Sequence, residues 1–302
     1  MLDQKELNHQ FAINNQLCFT QSKGEQIMID IENKYATAKV SLSGGQVLSY
    51  LPKGQQHDVL FLSDKAVFTV GKSIRGGVPI CWPWFGDDTS GYGLPAHGFA
   101  RVLDWTVLAT SDNDDGSTSL QLGLMSTDET LAIWPNHFEL ILDITIGKQL
   151  ILALTTVNTG KKALAITQAM HTYFNVADIS QVVVQGMDKV SYLDKLDGYK
   201  LKTQSDKIII DREVDRVYQQ VPDTTTIVDK SLNRTIKVKS ESSNSTVIWN
   251  PWQETGAAFA DLNEDSYQHF VCIENANVFD DSVSIIPGAS HTLTAIIEVE
   301  NH

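Results

Sequence analysis

Residues Phe138 to Asn158 read FELILDITIGKQLILALTTVN. Large apolar side chains recur at every second position: Phe138, Leu140, Leu142, Ile144 and Ile146, then Leu150, Leu152 and Leu154. A period of two puts alternate side chains on opposite faces, the pattern of a strand with one face against a core. Gly147-Lys148 between the two runs is a hairpin signal. This stretch therefore predicts two antiparallel strands and sets the expectation for the rest of the chain.

Working outward, similar short runs recur. Upstream they are Ile27 to Ile31, Ala36 to Leu42, Gln46 to Leu51, Val59 to Leu62, Trp105 to Ala109 and Ser119 to Met125. Downstream they are Ala163 to Tyr173, Gln181 to Gln185, Lys207 to Ile210, Thr235 to Lys239, Ser245 to Trp249 and Leu293 to Glu300. Strand-sized runs separated by turn residues, without alternating helices, predict an all-β chain: a large antiparallel β-sandwich with few short helices. Thr127 to Trp134 reads as one such helix, with Thr127 or Asp128 as its N-cap. Asp112 to Ser117 (DNDDGS) reads as a hairpin loop. No linker or repeat divides the chain, so residues 1–302 are expected to form one domain.

The exception to the strand pattern is Gly71 to Arg101. It holds Gly71, Gly76, Gly77, Gly86, Gly91, Gly93 and Gly98 together with Pro79, Pro83 and Pro95. A long irregular segment inside a compact fold is usually functional.

Composition narrows the partners. The chain has 302 residues, with 37 Asp and Glu against 23 Lys and Arg, a formal net charge of −14. Nucleic acid requires a basic footprint, and an anionic membrane surface attracts basic segments, so neither is an expected partner. A small anionic ligand needs only a local cluster of cations. Cys18, Cys81 and Cys272 are odd in number and widely spaced, which points to reduced thiols in a cytoplasmic protein. No apolar run is long enough to span a bilayer, and the N-terminus lacks the apolar core of a signal peptide. The Asn-x-Ser/Thr matches at Asn233 and Asn244 then carry no meaning, because glycosylation requires secretion.

Several motifs are missing: no GxxxxGK[ST] or GxGxxG loop, no HExxH, no GxSxG. No cofactor and no metal are expected. Four constellations remain. In Ile74 to Gly86 (IRGGVPICWPWFG), Arg75 precedes two glycines and is followed by Trp82 and Trp84. Arginine offers a planar fork of donors for phosphate, glycine permits close backbone approach to a ligand, and tryptophan can stack on a sugar face. A Pro- and Gly-kinked core loop with a surface arginine explains the segment equally well. Leu94 to Arg101 (LPAHGFAR) adds His97 and Arg101. His171, in Met170 to Asn175 (MHTYFN), stands where a strand yields to a turn. It is either a catalytic imidazole or a histidine satisfied within the sheet. Glu274, in Phe270 to Asn275 (FVCIEN), is a lone carboxylate in an apolar run, either outward-facing or held as a base with a raised pKa.

Taken in order with Glu213 to Tyr218 (EVDRVY) and Trp249-Asn250-Pro251, these segments resemble the aldose 1-epimerase (mutarotase) superfamily. The likeness is greatest to its hexose-6-phosphate branch, the glucose-6-phosphate 1-epimerases. The resemblance implies the galactose-mutarotase-like supersandwich. It implies catalytic roles for His171 and Glu274, which are 274 − 171 = 103 residues apart. It implies substrate binding by Arg75, His97, Arg101 and Asp215. It also implies a small-molecule hexose 6-phosphate as partner and a monomeric state. Two departures stand out: Ala96 replaces a small polar residue, and the Asn275 to Val278 stretch differs from the more usual small-residue segment.

The implied reaction exchanges α and β anomers by ring opening. Glu274 as a carboxylate takes the C1 hydroxyl proton, and His171 as imidazolium protonates the ring oxygen. Arg75 and Arg101 hold the phosphate. Two alternatives compete: a mutarotase for unphosphorylated aldoses, which the arginines disfavour, and a non-catalytic carbohydrate-binding module, which would be expected to lose His171 or Glu274.

Overall fold

The computed structural model describes residues 2–22, 24, 26–88 and 94–302. The opening hairpin forms as expected. Phe138–Ile146 pairs antiparallel with Leu150–Asn158, from Phe138 opposite Asn158 to Ile146 opposite Leu150. The connection is Gly147-Lys148-Gln149, one residue longer than the glycine-lysine signal alone. Both strands alternate buried and half-buried residues along their whole length.

This hairpin lies within a nine-stranded sheet. From one edge its order is Ile208–Ile209, Val182–Gln185, Thr224–Asp229, Arg234–Glu241, Ser290–Asn301, Leu150–Asn158, Phe138–Ile146, Thr118–Met125 and Thr106–Asp112. An eight-stranded sheet faces it. Its path runs Lys200–Thr203, Ser191–Asp194, Val214–Gln219, Ser245–Asn250, Phe270–Asn277, Gln168–Met170 and Ile80–Cys81, and Tyr173–Asn175 also pairs with Phe270–Asn277. A four-stranded sheet (Leu17–Gln21, Ile27–Glu32, Ala36–Ser41, Gln46–Pro52) and a two-stranded one (Leu164–Ile166 with Val283–Ile285) complete the set. All pairings between these strands are antiparallel.

One main core joins the two large sheets. It holds Leu140, Leu142, Leu152 and Leu154 from one, and Ile248, Val271 and Ile273 from the other. Phe270–Asn277 is buried at every position. Alternation divides it between two environments. Val271 and Ile273 face the main core, whereas Cys272 and Ala276 belong to separate clusters on the opposite face. That second, covered face carries the site.

Some expectations change. Val59 to Leu62 forms no strand, because only Leu60 and Leu62 make isolated bridges, to Phe174 and Gly76. Ala163 to Tyr173 is not one strand. Leu164–Ile166 pairs with Val283–Ile285, whereas Gln168–Met170 joins the eight-stranded sheet. Between them, Thr167 donates its N–H to the Pro83 carbonyl, and its hydroxyl accepts from the Phe85 N–H, at 2.8 Å. The Asp128–Ile133 helix has Thr127 as its N-cap. A further helix, Gln4–Phe11, starts with an Asp3/Glu6 capping box. Leu7 is its one buried residue, so the box was its only sequence signal. No helix among the described residues is long and apolar enough to cross a membrane. All three cysteines are free thiols, Cys18 exposed and Cys81 and Cys272 buried.

Candidate active site

Register closes the gap between His171 and Glu274. Met170 lies opposite Asn275, and Tyr173 lies opposite Cys272. Continuing that register across the break between the two short strands sets His171 against Glu274. The His171 Nε2 is 3.4 Å from Glu274 Oε1. The backbone confirms the alignment there: the Ile273 N–H donates to the Thr172 carbonyl at 3.2 Å, and the His171 N–H donates to the Pro79 carbonyl.

Both side chains are buried. His171 Nδ1 and Glu274 Oε2 make no hydrogen bond with any described residue. A buried, unpaired polar atom costs about 1–3 kcal/mol, so two on facing side chains mark a place where function outweighs stability. Tyr173 stacks on the His171 ring at 4.9 Å, and Trp249 and His97 meet its edges at 5.7 and 5.8 Å. These rings fix the imidazole's orientation.

Burial sets the ionisation of the pair. It pushes Glu274 well above the ordinary carboxylate range; Asp215 pushes the same way, and Lys195 and Arg101 oppose without prevailing. It pushes His171 well below the ordinary imidazole range, reinforced by His97, Arg101 and Arg75. The expectation of a charged Glu274 beside a protonated His171 is therefore corrected for the ligand-free protein, because burial favours the neutral carboxyl and neutral ring. The proton count is unchanged. Neutral acid with neutral imidazole, and carboxylate with imidazolium, each hold one proton between them.

His97 lies in the left-handed region at φ +66°. Its N–H donates to the Gly86 carbonyl at 2.8 Å, and its Nδ1 accepts from the Gly86 N–H at 3.3 Å. Burial, then Arg101, Lys195 and Arg75, push the imidazole down to about 3. A neutral ring accepting at Nδ1 carries its hydrogen on Nε2. The turn is held by Gly98, at φ +69°, where a Cβ would lie 2.0 Å from the Trp82 carbonyl oxygen.

Arg75 is aimed by the two glycines after it. A Cβ on Gly76 would lie 2.4 Å from the Phe61 carbonyl oxygen, and one on Gly77 2.2 Å from that of Val47. These glycines permit approach of backbone to backbone, not backbone to ligand as the sequence suggested. Arg75 Nε donates to Asp261 at 3.1 Å, and Nη1 donates to the Tyr173 hydroxyl at 3.0 Å. Its guanidinium lies 4.5 Å from the Phe259 ring centre. Arg101 differs. It donates to the Ala96 carbonyl at 2.8 Å, and no ion pair joins it to a carboxylate among the described residues. Ala96 thus contributes its backbone, whatever side chain stands there.

Asp215 joins the same face through the rows Asp215–Trp249 and Trp249–Cys272. It pairs with Lys195 at 2.9 Å. Burial raises its pKa and Lys195 works against that shift. Lys195 was missed by the sequence reading, since the motif around it (YLDKLDG) has no chemical signature. Trp82 is a core residue, fully buried, its indole N–H donating to the Thr156 hydroxyl. Trp84 donates to the Pro95 carbonyl and packs edge-on against Phe99. Asn277 is tied into the sheet: it accepts from Gln168 and donates to the Ser242 carbonyl, so the variant Asn275 to Val278 stretch is part of the strand framework. Gly91 and Gly93 lie outside the described residues.

The site gathers an acid/base pair from the sheet with a neutral histidine and three cations from the loops and turns around it, the equipment for proton transfer on an anionic substrate. Residues 28–298 match the family model described as Aldose 1-epimerase. The chain is 37% identical over 250 residues to an Escherichia coli K12 protein named "Putative glucose-6-phosphate 1-epimerase", covering 82% of each. It is 38% identical over 264 residues to a Cenchrus ciliaris protein of the same name, covering 83% of this chain and 78% of that one. The crystal structure of the Salmonella typhimurium "putative mutarotase" YeaD superposes with a TM-score of 0.90 at 32% identity, covering 97% of this chain and 96% of that one.

Proposed function

The chain belongs to the aldose 1-epimerase family, and from that premise we propose that it interconverts the α and β anomers of a hexose 6-phosphate, glucose 6-phosphate being the reference substrate. The observation that carries this is the buried His171–Glu274 pair, 3.4 Å apart and holding unpaired polar atoms.

Ring opening needs one base and one acid. Glu274 as a carboxylate removes the C1 hydroxyl proton, and His171 as imidazolium delivers a proton to the ring oxygen. The C1–O5 bond breaks as C1 becomes an aldehyde. Rotation about C1–C2 presents the other carbonyl face, and closure returns both protons. The required ion pair is a tautomer of the neutral resting pair, reached by passing one proton from Glu274 to His171. His97, neutral with its hydrogen on Nε2, is suited to donate to a sugar oxygen. Arg101, with no carboxylate ion pair among the described residues, is the leading phosphate ligand. Arg75, already tied to Asp261 and Tyr173, offers its remaining N–H groups to substrate oxygens, and Asp215 accepts from a sugar hydroxyl.

Free thiols suit a reducing compartment, so we place the protein in the cytoplasm, as a monomer whose state sedimentation measures. NMR exchange spectroscopy at the anomeric resonances of glucose 6-phosphate, glucose and galactose tests the activity. Exchange is expected above background and fastest for the phosphate. Equal rates for glucose would favour the unphosphorylated-aldose reading, and no exchange for any sugar would leave a binding module.

A further inference from the structure

We infer that Lys195 is a specificity-determining residue, the cation that holds the far end of the substrate by taking its phosphate together with Arg101. The inference rests on the activity proposed above. Its basis is a row of side chains across the sheet. Leu193 lies opposite Val217 and Asp194 opposite Arg216. Extending that register by one residue sets Lys195 opposite Asp215. Asp215 lies opposite Trp249, Trp249 opposite Cys272, and Cys272 opposite Tyr173. Lys195 therefore stands at one end of a row whose other end is Tyr173, the residue that stacks on His171 and binds Arg75.

The position fits the length of the substrate. Lys195 opens the 3-10 turn that directly follows Ser191–Asp194, a strand three places from the Phe270–Asn277 strand of Glu274, about 14 Å between backbones. The reach of both side chains shortens this toward the span from C1 to the 6-phosphate. Arg75 sits instead beside the reacting pair, with two of its donors committed to Asp261 and Tyr173. Asp215 tethers the lysine: the Nζ–Oδ2 distance is 2.9 Å, with the carboxylate 13% exposed and the lysine 46% exposed. An ammonium held at its base by a nearly buried carboxylate still has donors for a second anion, because it has three and Asp215 engages one face. Its field already reaches the site, lowering Glu274 and His97.

Calorimetric binding of glucose 6-phosphate and glucose to wild type and Lys195→Gln tests this. The variant should lose at least tenfold more affinity for glucose 6-phosphate than for glucose, and Lys195→Arg should recover part of the loss. Inorganic phosphate should compete with glucose 6-phosphate more weakly in Lys195→Gln than in wild type. Equal losses for both sugars would mean that Lys195 merely neutralises Asp215, and would overturn the inference, as would an unchanged glucose 6-phosphate affinity. Anomer exchange by the wild type is read separately, so failure of the activity and failure of the Lys195 assignment give different results.

Discussion

His171 and Glu274 work as a unit that holds one proton, and their variants should show it. His171→Asn and Glu274→Gln should each slow anomer exchange by at least ~10²-fold, the worth of one positioned acid or base. Saturation-transfer NMR with glucose 6-phosphate measures this, and near-normal turnover in either variant would remove that residue from the chemistry. Glu274→Gln should not unfold the protein, since it removes a carboxylate that burial already disfavours in its charged form. The pH profile follows from the same pair. The singly protonated state persists while His171 stays below, and Glu274 above, its ordinary range. After correction for the substrate's own phosphate ionisation, kcat/KM should therefore stay flat through the region near 6.5 where an unperturbed histidine titrates. An inflection there would sink the assignment. Arg101→Ala should raise KM for glucose 6-phosphate far more than for glucose, and equal effects on both would take Arg101 out of the phosphate site. Most of these residues were legible because each sits in a short motif. Lys195 was not, because its role comes from strand register with Asp215, and register is not written locally.

The elements explain which readings held. Alternation predicted Phe138–Ile146 and Leu150–Asn158 because those strands bury one face and leave the other half-buried. Phe270–Asn277 buries both faces, so Glu274 could not be told in the sequence from an outward-facing strand residue. The Ala163 to Tyr173 run hid a change of sheet at Thr167, since the contacts that impose it come from Pro83 and Phe85, some 80 residues upstream. The Gly71 to Arg101 segment departs from the strand pattern as expected, and its Gly76, Gly77 and Gly98 lie hard against neighbouring backbone. This gives a prediction at the level of the loop. Gly76→Ala meets both a φ of +116° and the Phe61 carbonyl at 2.4 Å. It should destabilise the fold by about 1–3 kcal/mol, the usual cost of a strained backbone position. Because Arg75 is the adjoining residue, KM should rise as well. Urea unfolding measures the first and steady-state exchange the second; an unchanged midpoint would show that the two backbones can separate without cost.

At the scale of the whole molecule, the net charge of −14 and the desolvated histidines, buried His171 and half-buried His97, pull stability in opposite directions as pH falls. Protonating surface carboxylates relieves self-repulsion, a term that salt screens. A histidine held neutral by burial acts oppositely. Below about 6.5 the unfolded chain binds a proton there and the native state does not, so stability falls as pH falls, until the folded pKa is reached. For His97 that window extends down to about 3. His171 has the same sign, but Glu274 cancels it between about 4.5 and 6.5, because there the native carboxyl keeps a proton that the unfolded one has lost. The pair holds one proton folded and about one unfolded. In that window and at high salt, the wild type should therefore lose roughly 1.4 kcal/mol per pH unit from His97 alone. His97→Asn, which tolerates the left-handed turn, should flatten this slope by that amount. Glu274→Gln should steepen it by about as much, because it leaves His171 uncompensated. Half-buried His291 and the raised Asp215 act on all three proteins alike and cancel in the differences. Urea-unfolding free energies at several pH values give the slopes. Parallel lines for wild type and Glu274→Gln would show that His171 and Glu274 do not share a proton in the resting protein.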